Sequence, residues 1–325
     1  MKKVVFRVAL FLLAAGVCHH ACADVIFEMT TIGNPGNAPD APWPDPEVLV
    51  GSVPYIYQIS TYEVTVAQYV AFLNAVASSD PHGLYRENMS DPGMTGGAII
   101  ERYGTEGSYT YAAVAGKENQ PVRSVNFYSG LRLANWLHNG QGDGDTETGS
   151  YNLSLGAWVT REPGATWVLA SQDEWHKAAY YDPDTESYWE YPNGRDSIDY
   201  PTDETTPREH NFGGSMIGWQ GNVYFTSIGE TTGYSAYGVF DMGGNVEEWT
   251  DSLVPPGQGL NRVVQGGSFV SHDSYLSRAG AISRDPDIAS NARGLRLVLI
   301  PEPSTMFLLL LGGPLLFMFK RRQSW

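Results

Sequence analysis

The chain has 325 residues, of which 36 are acidic and 20 basic, for a formal net charge of −16. Six of the basic residues (Lys2, Lys3, Arg7, Lys320, Arg321, Arg322) sit near the two ends, so apart from them 14 basic residues stand against 36 acidic ones. That balance repels polyanions and excludes nucleic-acid binding, and the two cysteines, Cys18 and Cys22, lie ahead of the expected processing point, which excludes thiol chemistry from the body of the protein.

Residues 1–23 read as a signal peptide. A positive start is followed by an apolar run over 8–17 and by the small residues Ala21-Cys22-Ala23, with cleavage expected after Ala23. The run is shorter than the ~20 residues that span a bilayer. Residues 24–52 are expected to be a leader or linker, with five prolines between 34 and 46. The main domain is expected over 53–300, opening with a strand at 53–59. Thr65 and Gln68 form a capping box for a first helix, whose Tyr69, Phe72, Leu73 and Val76 recur at helical spacing. Residues 81–116, rich in tyrosine and glycine, read as loops. A second helix starts near Asn126, carries Leu131, Ala134, Trp136 and Leu137, and stops at Asn139-Gly140. A short strand at 167–169 precedes a second capping box, Ser171 with Glu174, and a third helix through Trp175, Ala178 and Ala179. From Tyr181 turns dominate, until strands at 262–265 and 294–300. Helices early, strands late and no βαβ alternation give an α+β, loop-rich class packed through aromatics.

The last segment, 301–325, sets Pro301-Glu302-Pro303 before an apolar stretch over 306–319 and the terminal Lys320-Arg321-Arg322, cations that favour the cytoplasmic face. This order resembles the bacterial PEP-CTERM sorting signal; an ordinary tail anchor is the plainer reading. The resemblance implies cutting by an exosortase after transient membrane anchoring, and a final location in the cell envelope or exopolysaccharide. The implied processing partners are signal peptidase and exosortase.

Five segments in order, YEVTVAQYVAFLNAV, PVRSVNFYSGLRLANWLHNGQG, WVLASQDEWHKAAYYDP, YGVFDMGGNVEEWTDS and VVQGGSF with SRDP and GLRLV, resemble successive blocks of the formylglycine-generating enzyme (sulfatase-modifying factor) family. The likeness covers roughly residues 57–299. It implies a C-type-lectin-related fold with little regular secondary structure. Working members oxidise a sulfatase cysteine with two cysteines of their own, which engage copper in a G-G-S-x-x-C-x-x-x-x-C stretch. The matching stretch here begins at Gly266-Gly267-Ser268 and carries Ser271 and Leu276 at the two cysteine positions. A hydroxyl is a poor copper ligand and leucine is none, so no copper is expected. Ser268, Ser271, His272 and Arg284 remain as candidates for a degenerate pocket. Neighbours on a strand point to opposite faces, which argues against Ser271 and His272 as a nucleophile and base. His82, His138, His176, His210 and His272 lack the spacing of a zinc or iron centre.

The resemblance also implies calcium. The family's N-x-x-G-N-x-W-E loop has its counterpart at Asp241, Gly244, Val246 and Glu248, two carboxylates and two carbonyls suited to a hard cation. A second calcium site would use Asn211 and Phe212, with later ligands that do not align. Asp143, Asp145 and Glu147 alternate like the start of a calcium loop but lack a downstream glutamate. Two functions follow. One is a calcium-stabilised binding or structural module with a glycan or protein ligand, to which Tyr103, Tyr109, Tyr111, Tyr188, Trp189 and Tyr191 offer stacking surfaces. The other is a modifying enzyme working without cysteine.

Overall fold

The computed structural model describes residues 24–42, 48–199, 209–213, 225–254 and 259–301. The signal peptide with Ala23, and Glu302 and Pro303 of the sorting motif, lie outside the described residues; Pro301 is the last of them. In chain order the elements are β1 (Met29–Ile32), β2 (Tyr57–Ser60), α1 (Val66–Val76), β3 (Ile100–Tyr103), β4 (Thr110–Ala113), α2 (Phe127–His138), β5 (Trp167–Leu169) and α3 (Gln172–Tyr180). They continue with β6 (Tyr181–Asp182), β7 (Ser187–Tyr188), β8 (Glu247–Leu253), β9 (Arg262–Gln265), β10 (Ile282–Arg284), β11 (Arg293–Gly294) and β12 (Leu297–Leu299). The class is the expected α+β one, with short strands, few helices and long irregular connections. No described helix is long and apolar enough to cross a membrane.

The helices start where their caps require. Thr65 accepts from the Gln68 amide at 3.2 Å while the Gln68 side chain accepts from the Thr65 amide at 2.9 Å, satisfying two amides that the first turn leaves free. Ser171 and Glu174 repeat the box at α3, and Asn126 caps α2. Val66, Tyr69, Phe72 and Leu73 form the buried face of α1, with Val76 only half-buried. Tyr69, Phe72 and Trp136 then pack ring to ring, joining α1 to α2 at 5.6 and 5.3 Å between centroids.

Two four-stranded sheets cover this core. The first has the order β1-β2-β12-β5, antiparallel throughout; the second runs β10-β9-β8-β11, with β11 parallel to β8. The expected single strand at 294–300 is broken at Leu295-Arg296. The chain leaves the second sheet in β11 and enters the first in β12, and both residues at the break are fully buried. This crossing places Arg296 between the sheets.

The expected leader or linker over 24–52 contains a strand: β1 pairs with β2 from Met29↔Ser60 to Ile32↔Tyr57. Asp40 in the same segment takes His176 at 2.9 Å and Arg278 at 2.7 Å. The strand expected at 53–59 runs Tyr57–Ser60 instead. The tyrosine-rich stretch holds the β3–β4 hairpin, in register from Ile100↔Ala113 to Tyr103↔Thr110. Finally, the region expected to be turns contains β8, the longest strand described. Its acidic start reads as a solvated loop because hydrophobic alternation is hidden by carboxylates that are buried through arginine.

Candidate functional site

The turn after β9 brings the two expected cysteine positions together. Gly267 has φ +65°, and a Cβ placed there would meet Leu276 Cδ1 at 3.0 Å and Ser271 Cβ at 3.2 Å. Glycine therefore lets both side chains close on the backbone. The Ser271 hydroxyl accepts from the Ser268 amide at 2.9 Å and lies 3.2 Å from the Ser268 hydroxyl. Leu276 is fully buried, and its carbonyl accepts from the Tyr180 hydroxyl at 2.9 Å. What the sequence marks as a site of reactive side chains is filled by a local serine cap and a core leucine.

The remaining pocket candidates turn away. His272 is half exposed and caps the short 3-10 turn Asp273–Tyr275, its Nδ1 accepting from the Ser274 amide at 3.3 Å. Arg284 pairs with Arg262 across β10 and β9, at the end of β9 that leads away from Ser268, and forks onto Glu247 at 3.2 and 3.1 Å. Arg293 reaches the same carboxylate at 3.0 Å. Ser268 and Ser271 thus meet, while His272 and Arg284 belong to other contacts.

The second candidate is the turn running from Asp241 into β8. Asp241, Gly244 and Asn245 all have positive φ, at 56°, 83° and 56°. A Cβ on Gly244 would lie 2.2 Å from the Asn211 carbonyl oxygen, so the position admits only glycine. Asn211 bridges to Gly244 and accepts from the Asn245 amide at 2.7 Å. The residues of the two expected calcium sites are therefore stitched to each other, with Phe212 buried beside them.

The electrostatics of this turn centre on Arg296. Glu248 accepts from Arg296 Nε at 2.9 and 2.8 Å and from the Trp175 indole at 2.6 Å. Asp241 accepts from the Thr231 hydroxyl at 2.6 Å and the Gly229 amide at 3.1 Å. Glu63 accepts from the Asn245 side chain at 2.7 Å and the Val246 amide at 3.2 Å. Burial, reinforced by the charges of Asp241 and Glu248, pushes the Glu63 carboxyl well above the usual range. Burial also raises Asp241, against the pull of its Thr231 bond. For Arg296 burial works against the charge, but Glu248 outweighs it and raises the guanidinium. Glu248 is the carboxylate that bonds the guanidinium, while Glu63 and Asp241 act on it through space.

This site was only partly visible in the sequence. Glu63, Trp175 and Arg296 were not singled out; the signal for Arg296 is an arginine set between leucines in an otherwise apolar strand. The residues fit a divalent cation in charge, and Asp241, Glu248 and the carbonyls of Gly244 and Val246 would hold it, with Glu248 shared with Arg296. Among the described residues no three His, Asp or Glu side chains form a metal-binding group by themselves, so the carbonyls would be essential. The acidic loop after α2 is committed elsewhere: Glu147 pairs with Arg132 at 2.6 Å and His82 at 3.3 Å.

Fold and turn together define a sulfatase-modifying-factor domain. Residues 50–300 match the model of the sulfatase-modifying factor enzyme 1-like domain, and the chain belongs to that family. It is 27% identical over 197 residues to the formylglycine-generating enzyme of Thermomonospora curvata, a match covering 50% of this chain and 60% of that protein. The chain thus spans less than two thirds of that relative. Among solved structures it is similar to CarF, with TM-score 0.55 and 18% identity over 85% of this chain and 99% of that one. It is also similar to Treponema denticola variable protein 1, with TM-score 0.51 and 18% identity over 85% and 95%.

Proposed function

We propose that the chain is an exported, envelope- or exopolysaccharide-associated binding module built on the sulfatase-modifying-factor fold, without the oxidase chemistry of the family. One observation carries the reading: the side chains at the two expected cysteine positions, both close on Gly267, are Ser271 and Leu276. Neither supplies a thiolate, and the buried Leu276 side chain has no atom that could ligate copper. Both cysteines of the chain lie within the expected signal peptide.

Calcium has a structural part in this proposal. Bound at the turn from Asp241 to Glu248, it would offset the carboxylate charge that Arg296 alone leaves in excess. The turn would then be a fixed support between the two sheets. Export rests on the two terminal signals, and the acidic surface suits an extracellular setting rich in divalent cations.

The test is incubation of the purified protein with copper, oxygen and a peptide carrying the sulfatase C-x-P-x-R motif, read by mass spectrometry. An unchanged peptide is expected. Conversion of its cysteine to formylglycine would overturn the reading in favour of a cysteine-independent modifying enzyme.

A further inference from the structure

Away from the Gly267 turn, the β3–β4 hairpin and the 3-10 turn Glu87–Ser90 enclose an open cleft of about 480 Å³. Its wall is a stack. The Arg102 guanidinium lies between the rings of Tyr85 and Tyr109, 4.5 and 4.4 Å from their centroids. Glu87, itself largely exposed, pairs with the same guanidinium and offsets its charge. At the rim Tyr103 is 51% exposed, and its hydroxyl donates to Glu101. The half-exposed Tyr103 ring therefore borders the cleft beside polar groups that are already paired.

We infer that this cleft is a carbohydrate subsite for pyranose chains that carry no acid groups, a proposal that rests on the binding-module reading above. The volume is in the range of small-ligand pockets. The Tyr103 ring offers an apolar platform to the C–H face of a sugar, while Glu87, Glu101 and Arg102 offer acceptors and donors to its hydroxyls. Charge fixes the class further. Two carboxylates against one covered guanidinium leave the cleft negative, so uronic acids are repelled and neutral or amine-bearing sugars are accepted. Of the tyrosines the sequence offers for stacking, the structure gathers Tyr103 and Tyr109 here. Tyr111 points instead into the core, its hydroxyl donating to the Ala77 carbonyl at 2.8 Å.

The experiment is calorimetric titration of the purified protein with cellotetraose, mannotetraose, a glucosamine tetramer and a galacturonate tetramer. At least one non-acidic oligosaccharide should bind, and the galacturonate at least about tenfold more weakly. Tyr103→Ala should weaken binding about tenfold, the scale of one lost stacking contact, while Tyr103→Phe retains the ring and most of the affinity. Tyr103 is exposed, so both variants should keep the parent circular dichroism. Lack of binding by any non-acidic sugar, equal binding of galacturonate, or binding indifferent to Tyr103→Ala would each overturn the subsite. None of these outcomes touches the sulfatase-peptide assay, whose failure would overturn the underlying reading separately.

Discussion

Ser271 and Leu276 meet at Gly267, within 3.2 and 3.0 Å of where a side chain on that glycine would begin. Their energetic roles differ sharply. Leu276 is fully buried, and Leu276→Ala should cost about 2–5 kcal/mol through lost burial and an unfilled cavity. Ser271→Ala removes one amide partner and should cost about 1 kcal/mol. Urea denaturation of the two variants checks this. A larger cost at Ser271 than at Leu276 would contradict the packing described.

Glu248 and Arg296 are buried to 1% and 0% exposure. Glu248→Gln leaves a guanidinium uncompensated between the sheets, and should cost about 3–5 kcal/mol in the same assay. Loss of less than 1 kcal/mol, on the order of an exposed ion pair, would show that the pair is not the junction of the two sheets.

Calcium is tested by melting curves with excess calcium and with EDTA. A ligand at about a hundred times its dissociation constant adds about 2.7 kcal/mol to the folded state, so chelation should lower the melting temperature by several degrees. Asp241→Ala should lessen that difference, since it removes one of the two proposed side-chain ligands, whereas asparagine, the residue of the family's loop, would keep an oxygen there. Coincident curves would remove calcium from the account.

His210 gives the protein an acid sensitivity. Burial pushes its imidazole down to about 4, against about 6.5 in an unfolded chain. Between those values the unfolded state binds a proton that the folded state does not, so stability rises with pH across this window and is lost as pH falls through it. The loss on acidification through both values amounts to about 3 kcal/mol. His210→Phe should flatten the stability profile between pH 6.5 and 4. An unchanged slope would place the acid response on other groups.

Legibility in the sequence followed the locality of each signal. The capping boxes at Thr65 and Ser171 act over three residues, so the helix starts were readable directly. β1 and β8 depend on distant partners. Thr30 and Thr31 look like linker residues until they face β2, and Glu247 and Glu248 look like a solvated turn until Arg293 and Arg296 arrive from the far end of the chain. The family motif marks Ser271, Leu276 and the Asp241–Glu248 spacing, whereas Glu63 and Trp175 reach the same site from other elements and carry no local mark.

We propose that Ser271 and Leu276 stand in place of the family's thiol pair while the fold remains. Anaerobic competition for Cu(I) against a chromophoric chelator tests it directly, using the purified protein without its signal peptide and the Ser271→Cys/Leu276→Cys double variant. The parent should leave the chelator's copper untouched, and the double variant should withdraw about one equivalent per chain, as two convergent thiolates allow. Copper withdrawn by the parent, or none withdrawn by a correctly folded double variant, would contradict the account.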